Sequence, residues 1–459
     1  MDKIKNIWSA KTKSQRLWFL LSFVFFALIL LIRPFEMSVQ QSLIVSTLLL
    51  ALIWWTTGCV KKWITSIVLL LAFSIYGGTP LKNVFQFPLS TNFLVIFFAF
   101  LFSQAIANSG LTRRLLLPIL QRYIDSIGKF LAFVVVCNIV FIFIIPQPFA
   151  RVILLAYILG EYLNQVCDDK DAKEILIFSV YCLSMTANMM FLRGDIIMNY
   201  AILSFAELSV TESQWMTAMA LPTLLLLVLE TVLIRVYFSK GLRSAGFHAA
   251  ENKESYEPLS VKAKLQLLVI FLTIIFMATE SIHGISGWIV ILVGTVILTI
   301  LGLLKPTDIK SVNFELLIFF TAAFAIGPVM KTSGVAQLIF ARFTNLFPAE
   351  FGFGYLLLVI VITMLLHMVL GSSVTTTSVV VPGILLIAQG VAPTVPIVFA
   401  IYVAVYVQFL LPIHNVVLML GTKEYKSSIV SRFGVLTTFL VPIFILTVYY
   451  FWWHIVNIL

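Results

Sequence analysis

Charge is what this sequence has least of. Asp, Glu, Lys and Arg together make up 11% of the 459 residues while apolar types make up 61%, which excludes an ordinary water-soluble domain, whose charged share is about 25%. Cysteine is scarce too: Cys59, Cys137, Cys167 and Cys182 have no metal-type spacing, and each lies in or beside an apolar run. A zinc site and a disulfide framework are therefore not expected, and each thiol reads as a small buried hydrophobe. There is no glycine-rich nucleotide loop, and the hydroxyl cluster Ser372–Ser378 has no His or Lys beside it to activate a nucleophile, so the chain does not read as an enzyme. Alternating strand patterns are missing as well, which speaks against a β-barrel.

What is present in quantity is long apolar runs. A bilayer offers no water to unpaired backbone groups, so each such run is read as a membrane helix or as backbone buried within protein. The fold class expected is an all-α polytopic membrane protein with about eleven transmembrane helices, over 17–32, 41–58, 63–78, 92–109, 174–192, 216–238, 265–281, 286–304, 313–330, 396–420 and 433–456. No small-residue cleavage site follows the first run, so it is expected to remain as an anchor. Two further apolar regions, 129–163 and 353–390, are broken in the middle.

The formal net charge of +10 does not point to nucleic acid, because of where the basic residues fall. With the N-terminus in the cytoplasm and both broken regions dipping in and returning as re-entrant hairpins, the outer segments hold only Arg33, Lys82, Lys331 and Arg342. Nearly all other Lys and Arg are inside, as the positive-inside bias requires. Arg151 and Arg193 belong to no loop and fall at membrane depth.

The chain also compares with itself at an offset near 224. "FFAFLFSQAIANSGL" (97–111) answers "FFTAAFAIGPVMKTSGV" (319–335), and a basic amphipathic stretch follows each, at 112–128 and 336–350. "ANMMFLRG" (187–194) answers "HNVVLMLG" (414–421), so Asn188 and Asn415 each precede a glycine by six residues. The polar segment 239–264 reads as a cytoplasmic linker. The domains expected are a first segment and helix (1–38), repeat 1 (39–238), the linker, and repeat 2 (265–459). An odd number of crossings per repeat inverts the second copy, a pattern that points to a secondary transporter with its site at the repeat interface.

Each broken region carries its own chemistry. In "LLHMVLGSSVTTTSVVVPGILLIAQG" (365–390), Gly371 interrupts the first arm and six hydroxyl side chains crowd the turn, offering oxygens to a cation and a helix N-terminus to an anion. In "IIPQPFARVILLAYILG" (144–160), two prolines and Arg151 occupy the corresponding place.

With these motifs the chain resembles the divalent anion:sodium symporter family of the ion transporter superfamily, over most of its length from about residue 39. Members carry Ser-Asn-Thr in each hairpin and Thr-Pro-Pro-Asn in each unwound helix. Here Ser372-Ser373-Val374 stands in the second hairpin and Pro148-Phe149-Ala150 in the first, while "MTAN" and "LPIHN" keep only Asn188 and Asn415. Neither Ser-Asn-Thr is present. The resemblance implies elevator-type alternating access, a homodimer among membrane lipids, a small anionic substrate (dicarboxylate, sulfate or a related oxyanion), and Na+ as coupling ion with no other cofactor.

The substrate-binding candidates are Gln147, Arg151, Asn188, Ser372, Ser373, Thr375, Thr376, Thr377, His414 and Asn415. Coupling-ion candidates are Ser372, Ser373, Thr376, Asn415, Asp195, Glu230 and Glu280. Arg151 is expected in the first turn of the returning arm, facing Thr375, where a fixed guanidinium could hold an oxyanion bidentately or replace a coupling cation. Its bland reading is a pairing with Glu161 or a backbone carbonyl, or snorkelling to the surface. Arg193, two residues from Asp195, could simply end a helix. For Glu230 and Glu280, proton carriage stands against an interhelical hydrogen bond or a boundary position. Coupling through sodium at the second-repeat oxygens, through protons, or through exchange stays open. The other class of reading is a membrane protein handling a polyprenyl or phospholipid phosphate, as flippase or enzyme, with Arg151 and Arg193 as phosphate ligands.

Overall fold

Three long helices of this chain start at reciprocal caps. Thr12, Ser38 and Thr211 each accept a hydrogen bond from the backbone N–H three residues on, and the Gln at that position bonds back, which satisfies two otherwise orphaned donors at once. These caps open α1 (Lys13–Ile32), α2 (Val39–Thr57) and α10 (Glu212–Tyr237). The structure is a computed structural model that describes residues 12–145, 147–243, 247–248, 259–340 and 342–459. Residues 1–11 of the expected cytoplasmic N-terminal stretch, and 244–246 and 249–258 of the linker, lie outside the described residues.

Between and after those helices come α3 (Lys62–Tyr76), α4 (Thr91–Ser109), α5 (Leu111–Tyr123), α6 (Ile127–Ile142), α7 (Pro148–Val166), α8 (Lys170–Asn188) and α9 (Met198–Phe205). The second half continues with α11 (Val261–Ala278), α12 (Gly287–Ile300), α13 (Phe314–Thr332), α14 (Val335–Phe340), α15 (Phe353–Leu370), α16 (Ser373–Ala388), α17 (Thr394–Val407), α18 (Val416–Gly421), α19 (Ser427–Phe444) and α20 (Tyr450–Ile455). The described residues contain no strand. Among the described residues, seven helical segments are long and apolar enough to cross a membrane, and five shorter apolar helices accompany them. The protein is an all-α, multi-pass membrane protein.

Both halves run through the same sequence of elements. A long helix (α4, α13) ends at a left-handed glycine, Gly110 at φ +64° and Gly334 at φ +73°, and a shorter helix (α5, α14) follows. Two helices joined by a short break come next (α6–α7, α15–α16), then a long helix that stops early and resumes as a short one (α8–α9, α17–α18). The halves differ in the amphipathic stretch: 112–128 is mostly one helix, whereas the described residues of 336–350 form the short α14 and a 3-10 turn, Thr344–Leu346. Pro348 follows that turn and cannot extend it.

The chain divides into two compact units, each drawing on both sides of the linker. One comprises Met1–Ser90, Ala201–Leu208 and Asn313–Val405. In it α1 packs on α2 through Phe19 stacked on Trp54, whose indole N–H donates to Ser22 at 2.9 Å, and α15 packs beside α16. The other comprises Thr91–Tyr200, Ser209–Val312 and Tyr406–Leu459, with α4 on α12 and α8 against α6, α7 and α10. Tyr406, near the end of α17, counts with this second unit.

Candidate functional site

The first broken region is built by proline and a capping glutamine. α6 ends with the N–H groups of Phe143, Ile144 and Ile145 folded back on Val140 and Phe141 carbonyls. α7 then begins with Pro148 at its first position, where a missing N–H costs nothing. Gln147 is the N-cap, its side chain accepting from Ala150 N–H.

Arg151 falls in the first turn of α7, as the sequence indicates, and is fully buried at 0% exposure. Nη1 donates to Ile145 O at 2.7 Å, and Nη2 donates both to Asn188 Oδ1 and to Gly194 O, each at 2.5 Å. Nε has no partner among the described residues. Of the bland alternatives, binding to backbone carbonyls is the one observed. Glu161 is instead held by Arg113, through Nε at 2.9 Å and Nη2 at 2.6 Å.

The three acceptors arrive from three segments. Ile145 comes from the break, Asn188 from the last residue of α8, and Gly194 from a 3-10 turn, Leu192–Asp195. Gly194 is needed there on steric grounds, since a Cβ would lie 2.1 Å from Asn188 O. Asn199 ties the same unwound stretch together, its amide donating to the carbonyls of Asn188, Phe191 and Leu192 at 2.9–3.1 Å.

Charge compensation runs through two further side chains. Asn188 Nδ2 donates to Tyr406 OH at 3.2 Å, and Tyr406 OH donates to Asp195 Oδ2 at 2.5 Å. Asp195 Oδ1 accepts from the N–H groups of Ile197 and Met198. Arg151, Asn188, Tyr406 and Asp195 thus form one buried hydrogen-bonded chain from guanidinium to carboxylate, and such a chain offsets the cost of burying the two charges in a low-dielectric interior.

In the second broken region, α15 stops at Gly371 in the left-handed conformation, φ +62°, with its N–H on His367 O. Ser372 stands at the N-cap of α16 without a side-chain capping bond of its own. Thr376, Thr377 and Ser378 each donate back to a carbonyl of the preceding turn at 2.9 Å, and His367 Nδ1 lies 2.9 Å from Thr376 Oγ1. Thr375 is as fully buried as they are, but its hydroxyl has no partner among the described residues.

Asn415 caps α18, its Oδ1 accepting from Val417 N–H at 2.8 Å, and His414 Nδ1 accepts from Leu410 N–H at 3.1 Å. Gln408, which opens this unwound stretch, is fully buried with neither amide atom partnered among the described residues.

The remaining carboxylates are separate. Glu230 is fully buried on α10 and accepts from Thr186 Oγ1 at 2.5 Å. Glu280 is exposed at a one-turn helix, Glu280–His283, and accepts from Gly287 N–H at 3.2 Å. Arg193 does not pair with Asp195. It reaches Glu212 Oε2 at 3.2 Å and Met277 O at 3.1 Å, beside a cavity of about 420 Å³.

Of the residues the sequence singles out, Arg151, Asn188 and Asp195 meet in this network, while Tyr406, Asn199 and Gln408 are not among them. Tyr406 looks like any aromatic of an apolar run, whereas Gln408 in "VYVQFLL" and Asn199 in "IIMNYAIL" were isolated amides in apolar surroundings and could have been noticed. Compared with known protein families, residues 13–459 match the sodium:sulfate symporter transmembrane region. No curated protein matches the chain.

Proposed function

The chain belongs to the sodium:sulfate symporter transmembrane family, and from that membership we propose that it is a sodium-coupled secondary transporter of a small anion. The cargo is a dicarboxylate, sulfate or a related oxyanion, and the protein works in a cell membrane with its N-terminus in the cytoplasm. The observation that carries this reading is the order of elements that both halves share, each with a broken helix pair followed by an unwound helix. Backbone interrupted at membrane depth is tolerated where it lines a site or is buried in protein, and paired interruptions are the mark of carriers.

The anion is held at the start of α16. Its N-terminus, where Ser372 makes no side-chain capping bond, favours negative charge, and the Thr375 hydroxyl is buried with no partner among the described residues. Ser372, Ser373, Thr376 and Thr377 are the further candidates at that helix start. In the other unit the candidates are Gln147, Asn188, His414 and Asn415, together with Gln408, an amide whose oxygen suits a sodium ion and whose N–H groups suit an anion. The two halves are inverted copies, and a homodimer moves its hairpin-bearing part by an elevator motion.

The test is uptake by purified protein in liposomes, using labelled sulfate, phosphate, C4 dicarboxylates and citrate, with an inward gradient of sodium or of choline. One of these anions is expected to accumulate only with sodium. Uptake indifferent to sodium sinks the coupling. Absence of uptake for every anion, together with translocation of a labelled lipid phosphate, replaces this reading with the lipid-handling one.

A further inference from the structure

We propose that the Arg151 guanidinium is a built-in cation that occupies, in the first half of the chain, the seat of one coupling sodium ion. The inference deepens the transport reading above and rests on it.

Three neutral carbonyl oxygens, Ile145 O, Asn188 Oδ1 and Gly194 O, converge on this one side chain from three separate segments. Carbonyl oxygens freed by a broken hairpin and an unwound helix are the donor set that takes a bare monovalent cation in membrane carriers and channels. Without a cation, their dipoles would face one another unsatisfied in a buried space, at a cost. Here the cation is covalently attached.

The guanidinium's own geometry argues against the competing role of anion clamp. A two-pronged grip on a carboxylate or sulfate uses Nη2 together with either Nη1 or Nε. Both Nη2 hydrogens are already donated, to Asn188 and Gly194. Only single contacts, from Nε or the remaining Nη1 hydrogen, could be made without breaking a bond to the cradle. Asp195, reached through Asn188 and Tyr406, balances the charge from the far side.

A sodium ion bound here would come and go with each cycle, and an arginine cannot. The first half therefore contributes a fixed positive charge and no sodium binding, and the number of sodium ions moved per anion is lower by one than if the seat were free.

The experiment compares wild type with Arg151→Ala, Arg151→Gln and Arg151→Lys. Purified proteins are melted in sodium chloride and in choline chloride, and sodium dependence of uptake is recorded in liposomes. Both neutral variants are expected to gain a sodium-specific rise in melting temperature beyond that of wild type, by mass action on a newly opened site. Their uptake is expected to depend on sodium with an order higher by one, and Arg151→Lys to keep the wild-type order. Neutral variants that fold and respond to sodium as wild type does overturn the proposal. So does failure of both to fold in sodium as well as in choline, which leaves Arg151 a structural staple. Should wild type transport no anion with sodium, the transport reading fails, while the melting comparison still decides whether the seat accepts sodium.

Discussion

Asn188 and Gly194, six residues apart in sequence, meet on a single nitrogen: Arg151 Nη2 donates to Asn188 Oδ1 and to Gly194 O, each at 2.5 Å. The turn between them closes so tightly that a Cβ on residue 194 would sit 2.1 Å from Asn188 O. Gly194→Ala is therefore expected to push one carbonyl off the guanidinium. Loss of a hydrogen bond to a buried charge costs about 1.5–3 kcal/mol, read as a lowered melting temperature with reduced uptake. A variant as stable and active as wild type would show that the cradle is not needed.

The spacing of asparagine and glycine was legible in the sequence, but its meaning was not. In the first half Asn188 binds the arginine and Gly194 permits a close backbone approach. In the second half Asn415 caps α18, and Gly421 makes room for the Tyr425 ring, which a Cβ would meet at 2.4 Å. Identical letters at identical spacing thus serve different contacts, because what surrounds them is set by residues distant in sequence. Tyr406, whose hydroxyl links Asn188 to Asp195, lies 218 and 211 residues from them. Helices and breaks were readable because bilayer thickness and backbone satisfaction dictate them locally. Which oxygens point at Arg151 depends on tertiary packing.

Glu230 offers a cleaner separation of charge from hydrogen bonding. Its Oε2 accepts from Thr186 Oγ1, and no basic side chain pairs with it among the described residues. Glu230→Gln keeps an acceptor of the same shape and is expected to preserve melting temperature and sodium-driven uptake. Glu230→Ala strands the threonine hydroxyl and opens space, costing about 1–3 kcal/mol for the buried donor. If the glutamine variant instead loses transport while folding normally, a proton carried on Glu230 is part of the cycle.

Gly434 on α19 is a steric counterpart in the second unit. A Cβ at that position would lie 1.7 Å from Phe409 O, the carbonyl next to Gln408 in the unwound stretch. Backbone cannot rotate aside as a flexible side chain can, so Gly434→Ala is expected to displace the stretch and to lose both uptake and several degrees of melting temperature. Gly110→Ala is the control for a glycine substitution without a steric clash: its added Cβ meets nothing within 4 Å, though its φ of +64° still carries strain of about 1–2 kcal/mol. Equal melting temperatures for wild type and Gly434→Ala would contradict the close approach.

Thr375 sets stability against function in one side chain. A buried hydroxyl with no partner is a liability to the fold, since its desolvation is not offset. Thr375→Val replaces that hydroxyl by a methyl of nearly the same volume, so the melting temperature without ligand is expected to hold or to rise. The same exchange removes a hydroxyl beside the start of α16, and loss of one hydrogen bond to a charged ligand weakens binding by about 1.5–3 kcal/mol. Apparent anion affinity in the liposome assay should fall by about 10- to 150-fold on that basis, while Ser378→Ala, whose hydroxyl donates to Thr375 O and is no candidate for the anion, changes affinity far less. A valine at 375 that lowers stability and leaves anion affinity intact would mean that Thr375 bonds within the fold and holds no substrate.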